Sequence, residues 1–390
     1  MVKFAGRMSR LGTESAFEVL ARAKALEAQG KKMIHLEIGE PDFDTPDNIR
    51  EAAIKAIREG WTHYGPSQGL PELRKTVAEV CGRDKGLTIS PDEVVITPGG
   101  KPIMFFAILA LVDDGDEVIY PNPGFPIYES VIEFVGGKAV PIKLDMKKEF
   151  CFDVDELARL VTPKTKMIVI NSPQNPTGGV LCREDFDAIA KLAVKHNLWV
   201  LTDEIYSKIL YEGEHVSIAT FPGMRERTII LDGFTKTYAM TGWRVGYGIM
   251  PVEVAKAMTQ LQINANSCTC TFNQVAGIEG LRGDQTAAQD MVKEFKRRRD
   301  VIVDGLNNIP GFKCLKPKGA FYVFPNIEGT GMASRPLADL LMNEAGVVGL
   351  AGTAFGRYGE GFLRFSYANS VENIQKALEQ IKQTLAKVKK

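Results

Sequence analysis

Apolar and polar positions follow two rhythms along this chain. Residues 14–30, ESAFEVLARAKALEAQG, carry apolar side chains at helical spacing and stop at Gly30, which predicts a helix capped by that glycine. MIHLEIGEPDFDTP then reads as a short strand breaking into a loop. TPDNIREAAIKAIREG reads as a helix with Thr45 as N-cap and Pro46 at its first position. From there strands and helices alternate: EVVITPGG into KPIMFFAILALV, DEVIYPNPG into FPIYESVIEFVG, and KMIVINSPQNPTG into REDFDAIAKLAVKHN. LWVLTDEIY and TIILDGFTK are further apolar strands. Apolar runs separated by helices suit a mainly parallel sheet covered on both faces, so the expected fold class is α/β. Beyond about residue 285 come a long charged helix, short strands of antiparallel type (AFYVF, FLRFSYA) and a terminal helix, which predict a second, smaller domain. No repeat, low-complexity tract or flexible linker separates the two.

Composition narrows the function. The 390 residues exceed the length at which single cores stop growing, roughly 250–300 residues, in keeping with two domains. Lys plus Arg and Asp plus Glu both number 48, so no net charge draws the chain to nucleic acid or membrane, and a small-molecule partner is expected. Cys81, Cys151, Cys182, Cys268, Cys270 and Cys314 are scattered without CxxC or Cys/His spacing, which reads as free thiols and no metal site. No leader-like segment opens the chain and no run approaches the ~20 apolar residues of a membrane span, so a cytoplasmic location is expected.

The chemistry gathers at strand ends. No GxGxxG follows the first strand of a βαβ unit, and GGK at 99–101 lacks the earlier glycine of a phosphate loop. TPGGKP still joins a strand end, two glycines and a helix start, which suits either an anion site or a plain turn. NSPQNPTGG, 171–179, with its Ser172-Pro173 and Asn175-Pro176 bonds, would aim polar groups into the crevice where α/β sheets bind ligands. YPNPGFP, with an Asn122-Pro123 bond open to cis, would hold Phe125 at a strand tip, although a lone phenylalanine is as readily core. Asp203 ends the apolar strand LWVL. There it either needs a cationic partner or caps a following helix, with Tyr206 three residues on. Lys236 closely follows another apolar strand, and a desolvated lysine has a lowered pKa and attacks carbonyls to form a Schiff base. A lysine, a buried acid, polar donors, a flat aromatic and an anion site are together what pyridoxal phosphate requires.

With NSPQNPTG, TDEIY, KTYAMTGWRVGY and LRFSYA in order over nearly its whole length, the chain resembles the fold-type I, class I aminotransferases that use pyridoxal 5'-phosphate, most closely their prokaryotic aspartate/aromatic branch. The resemblance implies a large cofactor-binding domain over 46–285 with a mainly parallel seven-stranded sheet, and a smaller α+β domain from 1–45 and 286–390. It implies that Lys236 bonds to the cofactor aldehyde and moves the substrate proton, and that Asp203 keeps the ring nitrogen protonated. Asn175 and Tyr206 would donate to the ring oxygen, and Phe125 would stack on the ring. Gly100 and Lys101 amides, Thr235 and Arg244 would hold the phosphate, and Tyr64 would reach the phosphate of a second subunit, making a homodimer with shared sites. Arg364, with Gly39 and Asn175, would clamp the substrate carboxylate. Some relatives carry a phosphate-binding serine where this chain has Gly233, which leaves Thr235 as the hydroxyl. Lys101 suits a dicarboxylic substrate and TCTFN, 269–273, a less polar pocket. Aspartate or broad specificity, with 2-oxoglutarate as acceptor, is favoured; alanine, aromatic or branched-chain donors and a β-eliminating C–S lyase are the alternatives. A cofactor-binding regulator is disfavoured because no DNA-binding module precedes MSRLGTESAFEVL.

Overall fold

A computed structural model describes residues 2–388. After the short strand β1 (Ile34–His35) come β2 (Val94–Thr97), β3 (Glu117–Asn122), β4 (Lys138–Lys143), β5 (Thr165–Asn171), β6 (Trp199–Asp203), β7 (Thr228–Gly233) and β8 (Gly246–Ile249). The last seven form one sheet in the order β2-β8-β7-β6-β5-β3-β4. All its neighbours pair in parallel except β8, which runs antiparallel to both β2 and β7. The fold is α/β, as the alternation of runs requires. Successive side chains of a strand point to opposite faces, and both faces are covered here. Met167 and Val169 enter one apolar cluster while Ile168 and Ile170 enter another. That double burial is why these strands read as continuous apolar runs rather than alternating ones.

The C-terminal region adds β9 (Tyr322–Val323), β10 (Val347–Val348), β11 (Leu350–Ala351) and β12 (Leu363–Ser366). β11, β12 and β9 form a three-stranded antiparallel sheet, and β1 pairs in parallel with β10. The pairing of β1 with β10 ties the N-terminal segment to the C-terminal region. A long helix, Thr286–Asn307, packs against the closing helix, Val371–Val388.

The first helix is Ser15–Ala28, and Gly30, with a φ of +89°, ends it as expected: its N–H donates to the Glu27 carbonyl (2.8 Å) and the Lys31 N–H to the Leu26 carbonyl (3.2 Å). Two local expectations are corrected. The second helix begins at Asp47 with Pro46 as its N-cap, and no side chain caps it. Thr45 is drawn into tertiary bonds instead: its hydroxyl donates to the Ala239 carbonyl (2.7 Å) and accepts from Trp243 Nε1 (2.9 Å). Finally, Asp203 is followed by a run of turns, not a helix.

Candidate active site

The ends of β3, β5, β6 and β7 open on a cavity of about 500 Å³. Eleven of the expected positions line it: Gly39, Gly100, Lys101, Phe125, Asn175, Asp203, Tyr206, Thr235, Lys236, Arg244 and Arg364. Tyr64 does not; it lies 91% exposed on the surface. The stretch 269–273 is also not part of the lining. Thr269 and Thr271 turn inward to the carbonyls of Ile96 (3.1 Å) and Trp61 (2.7 Å), which corrects the expectation that this stretch shapes the chain's own pocket.

Lys236 Nζ donates to the Gly39 carbonyl at 2.5 Å. Burial, with the cations Arg364 and Lys101 nearby, lowers its pKa to about 8, so far more of it is the neutral nucleophile near physiological pH than of an ordinary lysine. Asp203 shows the opposite effect: burial, helped by Asp232 and Glu204, pushes its pKa up to about 6. Both its partners are neutral, the Tyr128 hydroxyl donating to Oδ2 at 2.6 Å and the Ile205 N–H to Oδ1 at 3.2 Å. A buried carboxylate held this way attracts a cation.

Arg364 on β12 is buried between the rings of Tyr322 and Phe355, at 4.6 and 4.8 Å from their centroids. It donates to Asn175 Oδ1 (3.2 Å) and to the Glu37 carbonyl, and its buried Nε has no acceptor. Asn175 is set by Asn171, whose Oδ1 accepts the Asn175 N–H at 2.9 Å and whose Nδ2 donates to the Asp203 carbonyl at 3.1 Å. Asn122-Pro123, Ser172-Pro173 and Asn175-Pro176 are all cis.

At the other end of the cavity a helix begins at Lys101, where the first amides lack intrahelical partners and favour an anion. Arg244 lies against this turn, donating to the carbonyls of Thr241 (2.7 Å) and Pro98 (3.3 Å). Glycines let three backbones meet here. A Cβ on Gly246 would sit 2.6 Å from the Gly99 carbonyl carbon and 2.7 Å from Gly100 N, and one on Gly233 would sit 3.0 Å from Gly246 Cα. Gly233 is thus packed tightly against the Gly246 backbone. Thr235 is buried beside Lys236.

Lys101 pairs with Glu14 of the first helix and holds its ammonium 5.5 Å from the Phe125 ring centroid. Phe125 meets Tyr128 edge-on at 5.6 Å. Tyr206 shares a 2.8 Å hydroxyl contact with Tyr322, whose oxygen occupies the space a Gly39 side chain would need. Sequence reasoning passed over Tyr128, Tyr322 and Asn171. Tyr128 falls three residues after Phe125 in FPIY, and this spacing across the start of the helix Ile127–Phe134 was the only signal of it.

Behind Asp203 lies an ionic cluster. Lys85 Nζ bridges Glu204 Oε2 (2.6 Å) and Asp232 Oδ2 (3.2 Å), and His215 Nε2 meets the same Glu204 oxygen at 2.7 Å. Glu204 adjoins Asp203 and Asp232 lies four residues before Lys236, so Lys85 ties together the two strand ends that carry the reactive groups.

A model of "Aminotransferase class I and II" matches residues 31–381. The chain is 44% identical over 371 residues to an aspartate aminotransferase of Pyrococcus horikoshii, covering 94% of this chain and 93% of that one. It is 41% identical to the aromatic-amino-acid aminotransferase 2 of Thermococcus litoralis, covering 93% and 94%. The solved aspartate aminotransferase of Thermus thermophilus with maleate superimposes at a TM-score of 0.94, with 39% identity and coverage of 98% and 100%. Agreement at this level over whole chains, joined to a cavity lined by a partly buried amine and a buried guanidinium, makes the chain a member of the class I and II aminotransferases and a transaminase.

Proposed function

We propose that the enzyme moves the amino group of an L-amino acid to a 2-oxo acid through pyridoxal 5'-phosphate, in two half-reactions in which the first oxo acid leaves before the second binds. Aspartate or a broad donor range, with 2-oxoglutarate as acceptor, is the favoured substrate set; relatives named for aspartate and for aromatic amino acids fit a broad range. The observation that carries the reading is that one cavity is lined by both Lys236, an amine whose charge is disfavoured, and Asp203, a buried carboxylate whose partners are neutral.

The residues fit the cofactor. Among the described residues Asp203 has no cationic partner, which a protonated ring nitrogen would supply, and the helix start at Lys101 beside Arg244 offers donors to a phosphate. Gly100, Lys101, Thr235 and Arg244 would hold that phosphate, Phe125 would lie on the ring, and Asn175 with Tyr206 would donate to the ring oxygen. When bound, the cofactor supplies an electrophilic aldehyde and a conjugated ring that accepts the electron pair released at the substrate Cα. Asp203 holds the proton on the ring nitrogen that makes this uptake possible. Lys236 Nζ would take the proton from the substrate Cα and hold it for return, acting as base and then as acid. Arg364 fixes the α-carboxylate so that the Cα–H bond faces Lys236, with Gly39 and Asn175 beside it.

The domain division at 46–285, with 1–45 and 286–390 as the smaller part, belongs to this proposal, as do a cytoplasmic location and a homodimer with shared sites. Supporting the dimer, Val2, Phe4, Met8 and Leu11 stand exposed on an N-terminal segment whose short helix buries nothing, and Tyr64 is free to reach a second copy. Purified protein is expected to show a near-visible Schiff-base band that borohydride abolishes and Lys236→Ala lacks; a band persisting in that variant overturns the assignment. Aspartate with 2-oxoglutarate is expected to give oxaloacetate and glutamate, whereas ammonia and pyruvate from cystine would mark a lyase.

A further inference from the structure

Glu37 carries a carboxylate that the proposed mechanism does not use. Its residue is fully buried, its Oε1 lies 2.7 Å from His35 Nδ1, and its Oε2 has no hydrogen-bond partner. The same residue's carbonyl receives the Arg364 guanidinium. His35 is part exposed, with 30% of its side chain open to solvent, and its Nε2 lies 3.1 Å from Glu27 of the helix Ser15–Ala28. The charged groups facing His35 are therefore Glu27 and Glu37; β10 contributes Val348 opposite it, and the turn after β12 the Asn369 amide.

We infer that His35 and Glu37 are positioning residues for Arg364, and that a proton on His35 raises the affinity of the site for the substrate carboxylate. The inference rests on the reading of Arg364 as the carboxylate clamp. A buried anion next to a guanidinium competes with any carboxylate that the guanidinium must bind, because Coulomb interactions in a poorly solvated site are strong. With His35 protonated, the Glu37 charge is matched by the imidazolium and the positive field of Arg364 is left for substrate. With His35 neutral, the field of the Glu37 carboxylate is uncompensated at its own side chain and reaches Arg364, whose guanidinium is held on the carbonyl of the same residue, so an incoming carboxylate meets a weaker positive field.

The surrounding electrostatics agree in sign. Burial works against the imidazolium, but Glu37 and then Glu27 outweigh it and hold the His35 pKa above its ordinary 6.5. Burial also works against the Arg364 charge, while Tyr322, Tyr206, Glu14 and Glu37 support it. The favourable state is thus present below the raised His35 pKa and lost as pH rises through it.

Coupling is reciprocal: if a proton on His35 favours carboxylate binding, carboxylate binding must raise the His35 pKa. The test is an NMR titration of ring-labelled histidine in the cofactor-loaded enzyme with and without saturating succinate, a dicarboxylate with no amine to transfer. The chain has 4 histidines, and His35→Asn assigns the signal. Succinate is expected to raise the His35 pKa, and calorimetry is expected to show succinate affinity falling about fivefold as His35 deprotonates. His35→Asn should bind at the weak, high-pH level throughout, after allowing for pH effects common to both proteins. Glu37→Gln should bind tightly and lose the same pH-dependent component; opposite effects from two neighbours are not what loss of packing produces. A His35 titration unchanged by succinate, while Arg364→Gln abolishes succinate binding, overturns the inference and leaves the clamp standing. Undiminished binding in Arg364→Gln overturns both. The titration of the unsubstituted active-site pair decides the matter even where Glu37→Gln fails to fold.

Discussion

Tyr128, on the helix Ile127–Phe134, reaches the buried carboxylate at the end of β6. Its hydroxyl donates to Asp203 Oδ2 at 2.6 Å and so favours the charged form that burial opposes. Tyr128→Phe is expected to raise the Asp203 pKa beyond about 6. The carboxylate would then ionise over a higher pH range, and the acid limb of cofactor affinity would move upward. Losing a hydrogen bond to a buried charge costs about 1–3 kcal/mol, or roughly 5- to 150-fold in that affinity. A pH series of cofactor dissociation constants for the two proteins measures the shift. Lys236 gives a second handle at this scale. In cofactor-free enzyme its capture of an aldehyde is expected to accelerate as pH rises through about 8, because only the neutral amine attacks. As candidates, Asp203 and Lys236 were legible from sequence because the first ends an apolar strand and the second follows one by three residues, where a charged residue needs a reason. Tyr128 was not, because a tyrosine within an apolar helix run looks like core until its hydroxyl is placed.

Among the elements, the join of β2, β7 and β8 decides where the anion end of the site sits. The backbones of Gly99, Gly100, Gly233 and Gly246 pack so closely that Gly246→Ala would press Cβ to 2.6 Å from backbone that has no rotamer to yield. A loss of about 1–3 kcal/mol from overpacking is expected, read as a lower denaturation midpoint, together with weaker cofactor binding as the helix start at Lys101 is pushed away. The cluster behind β6 and β7 acts in a different way. Burial opposes the Glu204 charge, but Lys85 and His215 outweigh it and hold the carboxyl well below its ordinary range. Lys85→Met would leave two buried carboxylates without their shared cation, at a cost of about 3–5 kcal/mol. Because the pKa of Glu204 is depressed in the folded state, that stabilisation is present above its ordinary 4.5 and lost as pH falls. Denaturation of the two proteins should therefore differ most near neutral pH and converge in acid. No motif announced this cluster: Lys85 lies at the end of the helix Pro71–Lys85, and only folding brings it to β6 and β7.

For the whole molecule, the homodimer is the claim most open to measurement. Sedimentation is expected to give a mass of twice 42.9 kDa. Tyr64→Phe should weaken cofactor binding while leaving the thermal midpoint of each chain almost unmoved, since that side chain is 91% exposed; an unchanged cofactor affinity counts against the shared site. Sequence alone determined the α/β class, because strands buried on both faces must be apolar throughout, and it picked out the candidate residues that line the cavity, because strand ends are where such runs stop. Tertiary structure alone decided which distant groups meet. Thr45 left its predicted cap for Ala239 and Trp243, and residues 269–273 turned toward the sheet instead of the cavity. β1 joined β10, which carried His35 and Glu37 to the foot of Arg364 more than three hundred residues away along the chain. Periodicity records which face of an element is buried, but the partner across a long loop closure is selected by packing that no local pattern contains.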